Sequence, residues 1–393
     1  MRTYFWISFL VLLLSLSALS QTAPDATINA RPHSASAGRF TQQSTGFPEP
    51  WETPASLACN YHLVSTIVPG CPVSTTTALP TGGSGTIAIV NAFDYPAAQK
   101  DLNVFSHRFG VPLCNSSNPC LSVVFASGTR PTVDPLWASN AAAIIEYLHA
   151  FAPTAKIVLV EAASASTVDL MQGVQKANDI ISTSATGKGQ VILPFGLPEF
   201  VSETISDSMF TTPGVVYIGG NEGAPGFLEY PAVSPNVIAV GGTGLLRDAQ
   251  GNSQGEISTT FWAGGTSMFE ARPSFQDGIQ SLVNNHRGVP DLAFATDPII
   301  SPELMYDSIP LDGFVGWQFT GNVGFGEAFW AAVINQSGSF ADSTAAELTI
   351  LYGNLGNNSV FTDVTQGSAF GVKAKPGWDF VTGLGVDVGF TGK

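Results

Sequence analysis

The residue pattern of this 393-residue chain predicts an α/β fold: a doubly wound, mostly parallel sheet flanked by helices in a single large domain. Three observations carry that prediction. Short, continuous, β-branched apolar runs recur along the chain, as strands buried on both faces of a sheet require. Amphipathic stretches long enough for helices separate these runs, which is the connection that parallel strands need. The composition, 44% hydrophobic with 41 glycines and only 11% charged residues, suits a large packed body and excludes disorder.

Taken in order, strands are predicted over 86–90, 122–126 and 156–161, alternating with helices over 97–109, 137–151 and 168–181. Further strands over 191–194, 215–218 and 237–240 extend the sheet, and no internal repeat is found. A body of this length is long for one core, but a doubly wound sheet can grow sideways. Ahead of it, Arg2, an apolar run over 4–16 and Ala18-Leu19-Ser20 before Gln21 read as a secretory signal over 1–20. The competing reading, a membrane anchor, is disfavoured because the run falls short of the ~20 residues a bilayer requires. Residues 21–55, rich in Ala, Ser, Thr and Pro without apolar period, are expected to form a flexible leader, with the folded domain over 56–393.

Lys and Arg number 15 against 30 Asp and Glu, which argues against a nucleic-acid partner. The same balance fits an acidic or extracellular setting without identifying a substrate. The four cysteines fall as two short-range pairs, Cys59 with Cys71 and Cys114 with Cys120. Neither spacing is a Cys-x-x-Cys knuckle and no His sits at zinc-ligand spacing, so two local disulfides are expected, with free buried thiols as the alternative.

The segment over 318–332 is built like a turn that presents a nucleophile and then runs into a buried helix, yet it contains no nucleophile. Gly321, Gly324 and Gly326 permit a sharp bend, and Phe329, Trp330 and Ala331 read as a packed helix. In hydrolases such a bend exposes a hydroxyl or thiol beside main-chain N–H groups that hold an oxyanion. Here the nearby hydroxyl, Thr320, lies on the wrong side of the bend.

Several runs carry a resemblance to a known family. They are Gly85-Thr-Ile-Ala-Ile-Val-Asn-Ala-Phe-Asp94, His149-Ala-Phe-Ala-Pro-Thr-Ala-Lys-Ile-Val-Leu-Val-Glu161, Tyr230-Pro-Ala-Val-Ser-Pro-Asn-Val-Ile-Ala-Val-Gly-Gly-Thr243, Arg272-Pro-Ser-Phe-Gln276 and Pro376-Gly-Trp-Asp-Phe-Val-Thr-Gly-Leu-Gly385. Together, and in this order, they resemble the sedolisin family of serine-carboxyl peptidases over 57–393. The resemblance implies a subtilisin-like fold working in acid, with a Ser nucleophile activated by a Glu, an Asp one helical turn later, and a second Asp at the oxyanion. A carboxylate can act as base at low pH, where a His would be protonated.

Carried over residue by residue, that machinery is altered at every position. The Glu falls on Asn140 and the Asp one turn later on Ile144; neither can take a proton from a serine. The oxyanion Asp falls on Asn221, in Gly219-Gly220-Asn221-Glu222-Gly223, where the amide could still donate and Glu222 supplies a carboxylate if the register slips by one. The Ser falls on Gly324. Gly265-Thr266-Ser267-Met268 spells a subtilase-like nucleophile motif, but no helix of small residues follows it, so Ser267 reads as a loop serine. Glu146 is expected to point away from the cleft into a solvated or hydrogen-bonded surface role, Asp94 and Asp291 to shape loops, and His149 to be structural.

The resemblance also implies one calcium ion near the C-terminus. Asp363 with the Val364 carbonyl would supply one pair of ligands, and the loop with Lys375, Gly377 and Asp379 the rest, with Lys375 replacing a glycine of the family pattern. Two carboxylates with several carbonyls and waters suit a hard cation that takes six or more oxygens. If position 375 required positive φ, lysine would be strained there.

The expected protein is therefore a secreted or periplasmic pseudopeptidase, a monomer, free of the membrane after signal cleavage, with a residual groove for a peptide or protein ligand. The alternative is an acid-active serine endopeptidase using Ser267 with Glu222. A third reading, a structural exported domain binding only calcium, would be opposed by a well-formed apolar groove beside residues 262–270.

Overall fold

The computed structural model describes residues 28–33, 40–41, 51–74 and 79–393. The expected signal sequence and much of the leader lie outside the described residues. Two short strands, β1 (Arg31–Pro32) and β2 (Phe40–Thr41), precede helix α1 (Pro54–Asn60). The main alternation follows: β3 (Thr86–Ala92), α2 (Ala98–Phe109), β4 (Leu121–Phe125), α3 (Pro135–Phe151), β5 (Lys156–Ala162), α4 (Thr167–Ser182) and β6 (Gly189–Leu193). Strands β7 (Phe195–Pro198), β8 (Val215–Gly220), β9 (Glu229–Tyr230), β10 (Ile238–Arg247) and β11 (Ser253–Ser258) come next. The last part holds β12 (Gly265–Ala271), α5 (Gln280–Val283), β13 (His286–Val289), β14 (Leu292–Ala295), β15 (Glu303–Leu311), β16 (Phe314–Thr320), α6 (Val323–Ser337) and α7 (Thr344–Gly353).

The main sheet runs β11-β10-β8-β6-β3-β5-β4, with β14 also paired to β10. All its pairings are parallel except the β10–β11 edge. From β3 the chain first builds outward to β4 and β5 and then crosses to β6 on the other side, so the order reverses between β3 and β6. Sites in such sheets form outside the carboxyl ends of the strands near a reversal.

Period-two alternation divides the strands between two cores. Ile87 and Ile89 of β3 face the layer that contains α3 and α6, while Ala88 and Val90 face α4. Helix α3 is buried from Trp137 to Phe151, which explains its nearly uniform apolar sequence. Asp134 starts it by accepting from the N–H groups of Leu136 (2.9 Å) and Trp137 (3.2 Å) ahead of Pro135. Phe151 stacks on Phe329 at 4.4 Å between centroids and Tyr147 meets Phe325 edge-on at 4.8 Å, so aromatic packing fixes α3 against α6.

Both expected disulfides are present, Cys59–Cys71 and Cys114–Cys120, with Cα separations of 5.5 and 5.3 Å. Among the described residues, no helix is long and apolar enough to cross a membrane.

Two sequence expectations need correction. The described parts of 21–55 are built into the body: Ala30 N donates to Ala165 O (2.9 Å), β1 pairs antiparallel with β7, and Glu52 is buried in an ion pair with Arg247 (2.6 Å). Main-chain pairing and charged contacts hold this stretch, so it shows no apolar period. Glu146 is buried rather than on the surface, and its carboxylate accepts from Tyr306 N at 3.0 Å. Burial, with Asp101 and Asp307 close by, pushes it well above the usual carboxylate range.

Candidate functional site

At the carboxyl ends of β6 and β8, three of the four carried-over positions meet. Asn322 caps α6, its side-chain oxygen accepting from Gly324 N at 2.5 Å. Its amide donates to Asn140 Oδ1 at 2.9 Å and to the His33 carbonyl. Asn140 in turn donates to Pro194 O at 3.0 Å. Ile144, one turn further along α3, packs on Gly324: a Cβ at 324 would stand 2.9 Å from its Cδ1 and 2.7 Å from Asn322 Oδ1. A side chain here would have to displace both neighbours. The side chains of Asn140, Ile144, Asn322 and Gly324 that meet here carry no charge.

Asn221 follows β8, but its amide is committed to Ala263 O at 3.2 Å while its Oδ1 is buried without a partner. Glu222 turns towards the start of α6, where Val323 N–H reaches its carboxylate, and its own N–H donates to Glu229 Oε2 at 3.1 Å. Burial lifts Glu222 to about 7 against the opposing pull of His33.

Sequence reasoning missed the charged group beside this centre. His33, fully buried, places Nδ1 2.8 Å from Glu327 Oε1, and its Nε2 faces Glu229 Oε2 at 4.0 Å. Burial pulls His33 down, but Glu327, Glu222 and Glu229 outweigh it and lift it to about 9, so the ring is cationic below that pH. Glu327 is the one charged residue within α6. An acid inside an otherwise apolar, buried helix was a readable signal that some cation must meet it.

Ser267 does find a carboxylate, but it is Glu199 and not Glu222. The buried hydroxyl also accepts from Phe269 N (3.1 Å) and Glu270 N (2.8 Å), so its lone pairs serve the irregular stretch of β12, and Ser267 is a strand residue rather than the expected loop serine. The surroundings are acidic: burial and Glu199 raise Glu203 to about 8, and burial and Asp207 raise Glu270 to about 9. His149 is structural, with Nε2 2.6 Å from Pro112 O. Asp94 is paired with Arg130 at 2.9 Å. Asp291 is buried in a pair with Arg287 at 2.5 Å and accepts from Tyr352 and Ala239 N.

The C-terminal loop brings the expected calcium residues together. Asp363 Oδ2 accepts from Gly377 N at 2.8 Å, while Oδ1 is buried without a partner. Asp379 accepts from Lys375 N (2.7 Å), Val381 N (2.8 Å) and Thr382 N (2.9 Å). The carbonyls of Val364, Lys375 and Gly377 accept no hydrogen bond among the described residues. A small hollow lined by Asn357, Asp363, Gly377 and Trp378 opens alongside. Positive φ belongs to Gly377 (81°) and not to Lys375, so the lysine is unstrained. The orphaned Asp363 oxygen and the three free carbonyls are ligands of the kind a hard cation takes; Asp379, bound by main-chain donors, would share its oxygens with them.

The parallel sheet flanked by helices defines a subtilisin-like α/β body. The chain is 28% identical over 228 residues to sedolisin of Pseudomonas sp. (strain 101), a match covering 54% of this chain and 36% of that protein. It is 31% identical over 163 residues to xanthomonalisin of Xanthomonas sp. (strain T-22), covering 36% of this chain and 19% of that one. The chain is thus homologous to sedolisins over the matched stretches, and it spans about a third or less of the length of these curated relatives. No family model matches it. Among solved structures, Pseudomonas sedolisin, a serine-carboxyl proteinase complexed with two molecules of pseudo-iodotyrostatin, superposes with a TM-score of 0.66 at 20% identity, covering 86% of this chain and 95% of that one. A psychrophilic protease, S41, does so with a TM-score of 0.51 at 15% identity, covering 86% and 98%. At these identities the superpositions show the shared fold alone.

Proposed function

We propose that this protein is an exported, non-catalytic relative of the sedolisins that keeps the fold, one calcium ion and a groove for an extended peptide. The observation that carries the reading is the contact of Gly324 with Ile144 and Asn322: the volume a nucleophilic side chain needs is filled, and the adjoining polar groups are neutral amides bonded to each other. Four positions with different jobs are altered together, so no single substitution restores the chemistry. The test is incubation of the purified chain with denatured protein from about pH 2 to 7, the range in which a carboxylate serves as base, beside a variant carrying Asn140→Glu, Ile144→Asp, Asn221→Asp and Gly324→Ser. The unmodified chain is expected to leave the substrate intact; cleavage by it would refute the reading.

A second reading has its own support. The Ser267 hydroxyl bonded to Glu199 is a serine–carboxylate pair, as an acid-active endopeptidase would need. Its burial and its two main-chain donors argue against attack on a substrate. Acid cleavage abolished by Ser267→Ala would establish this reading in place of the first.

Calcium would be held by Asp363 and Asp379 with the carbonyls of Val364, Lys375 and Gly377, joining two distant parts of the C-terminal region. Calcium is expected to raise the melting temperature and a chelator to reverse it. Asp363→Asn should remove the calcium-dependent shift while leaving the Asp379 turn intact; an unchanged shift would place the ion elsewhere. Export is supported by the apolar run over 4–16 and the two disulfides. Edman sequencing of protein recovered from the medium should begin near Gln21.

A further inference from the structure

Strand β12 pairs with β13 at Gly265, Thr266 and Ala271, and between Thr266 and Ala271 the register breaks. The main-chain donors of that stretch turn to side chains instead. Met268 N donates to Glu199 Oε1 at 3.1 Å, while Phe269 N and Glu270 N donate to Ser267 Oγ, whose own hydroxyl donates to the same Glu199 oxygen. One carboxyl group at the end of β7 thus gathers the bonds of residues 267–270.

Two pairs of acids close around this stretch. Glu199 shares a hydrogen bond with Glu203, at the start of the 3-10 helix Glu203–Phe210, and Glu270 shares one with Asp207 of the same helix. Glu203 and Glu270 are buried, and in ionised form Glu203 Oε1 and Glu270 Oε1 have no donor among the described residues. A proton held by each pair supplies the missing donor.

The groups packed around the pairs do not neutralise them. Tyr230 of β9 donates to Asp207 Oδ1 at 3.3 Å, and Glu229 beside it holds Arg31. From β13, His286 is exposed and Arg287 is paired with Asp291, while Arg272, just after β12, is paired with Asp277. Helix α4 reaches the 3-10 helix through Asn178, which donates to Met209 O at 3.1 Å, and carries Lys176 and Asp179, the latter bonded to Gln175. Among the described residues, none of these cations forms an ion pair with Glu199, Glu203, Asp207 or Glu270.

We propose that the two acid pairs form a proton-held clasp, which in acid keeps residues 267–270 of β12 closed on the 3-10 helix and at alkaline pH releases that stretch while the rest of the body stays folded. The device does not depend on whether the centre at Gly324 is catalytic. Burial and Glu199 raise Glu203 to about 8, and burial and Asp207 raise Glu270 to about 9, so the closed form keeps protons that an open, hydrated form gives up. The stabilisation of the closed form is complete below the ordinary carboxylate value of about 4.3 and is lost as pH rises through about 8 to 9.

The test is hydrogen exchange of the full chain at about pH 6 and about pH 9, on either side of the expected release. Mass spectrometry reads peptides covering 265–271 and, for reference, β3, each corrected for the intrinsic exchange rate at that pH. Protection over 267–270 is expected to fall at least about tenfold more than that of β3 between the two conditions. In a chain carrying Glu203→Gln and Glu270→Gln, each amide donates to the facing acid without titrating, and the extra fall is expected to vanish. An equal fall in both segments, or an extra fall that persists in the double variant, would overturn the proposal. If the double variant does not melt cooperatively, Glu203→Gln alone serves: a smaller extra fall supports the clasp and an unchanged one overturns it.

Discussion

The centre between α3 and α6 and the cluster around Ser267 lie in the same body but have opposite electrostatics. In the first, Asn140, Asn322, Ile144 and Gly324 form a closed contact of amides and hydrocarbon that carries no charge. In the second, Glu203, Asp207 and Glu270 gather beside Glu199; burial raises all three above the usual carboxylate range, and neighbouring acids add to the rise at Glu203 and Glu270. The difference teaches that the side chains of Asn140, Ile144, Asn322 and Gly324 carry no titratable group, so that pH acts near them only through His33, Glu222 and Glu327, whereas the Ser267 cluster is itself built of acids.

The largest consequence is for stability against pH. Glu203 at about 8, Glu270 at about 9 and Glu161 at about 8 stay protonated in the folded chain, whereas in the unfolded chain they ionise near 4.3. The folded state therefore holds more protons, and the stabilisation is fully present below about pH 4.3 and lost as pH rises through about 8 to 9. His33, raised to about 9, acts in the same direction: its contribution is complete below its unfolded value near 6.5 and disappears as pH passes about 9. The melting temperature is expected to fall by at least ~5 °C between pH 5 and 9 by calorimetry. Replacing Glu203 and Glu270 by Gln should flatten the curve, and an unchanged slope would break the comparison.

Next in size, Gly324→Ser alone should lower stability by about 1–3 kcal/mol, because the new side chain meets Ile144 and Asn322. Adding Ile144→Ala should recover part of that loss in denaturant unfolding. A Gly324→Ser chain as stable as the parent would mean that the centre is not closed. Asn140→Ala is expected to cost about 1–2 kcal/mol, since it leaves Pro194 O and the Asn322 amide short of a partner, and this loss should not vary between pH 5 and 8. The smallest effect is expected for Ser267→Ala, about 1 kcal/mol in denaturant unfolding, the net contribution of its bond to the Glu199 carboxylate.

The parallel sheet was legible because its strands are buried on both faces and so read as unbroken apolar runs; α3 and α4 ended within two residues of expectation. The convergence of Asn140, Ile144 and Gly324 was legible only through the family resemblance, which aligned all three with positions that meet in that family. What escaped depends on pairings distant in sequence. His33 and Glu327 are separated by 294 positions, and nothing local marks residues 28–33 as a strand. Ser267 was paired in expectation with Glu222, whereas the end of β7 brings Glu199 to it. The hairpin of β15 and β16 was also overlooked, although Asp312-Gly313, both at positive φ between Leu311 and Phe314, is a strong turn signal.

The most direct measurement is a time course of denatured substrate with the unmodified full chain in acid, read by mass spectrometry for new termini. The account predicts that none accumulate beyond those in buffer. New termini that appear in proportion to the amount of this chain would mean that a working nucleophile survives elsewhere in the molecule.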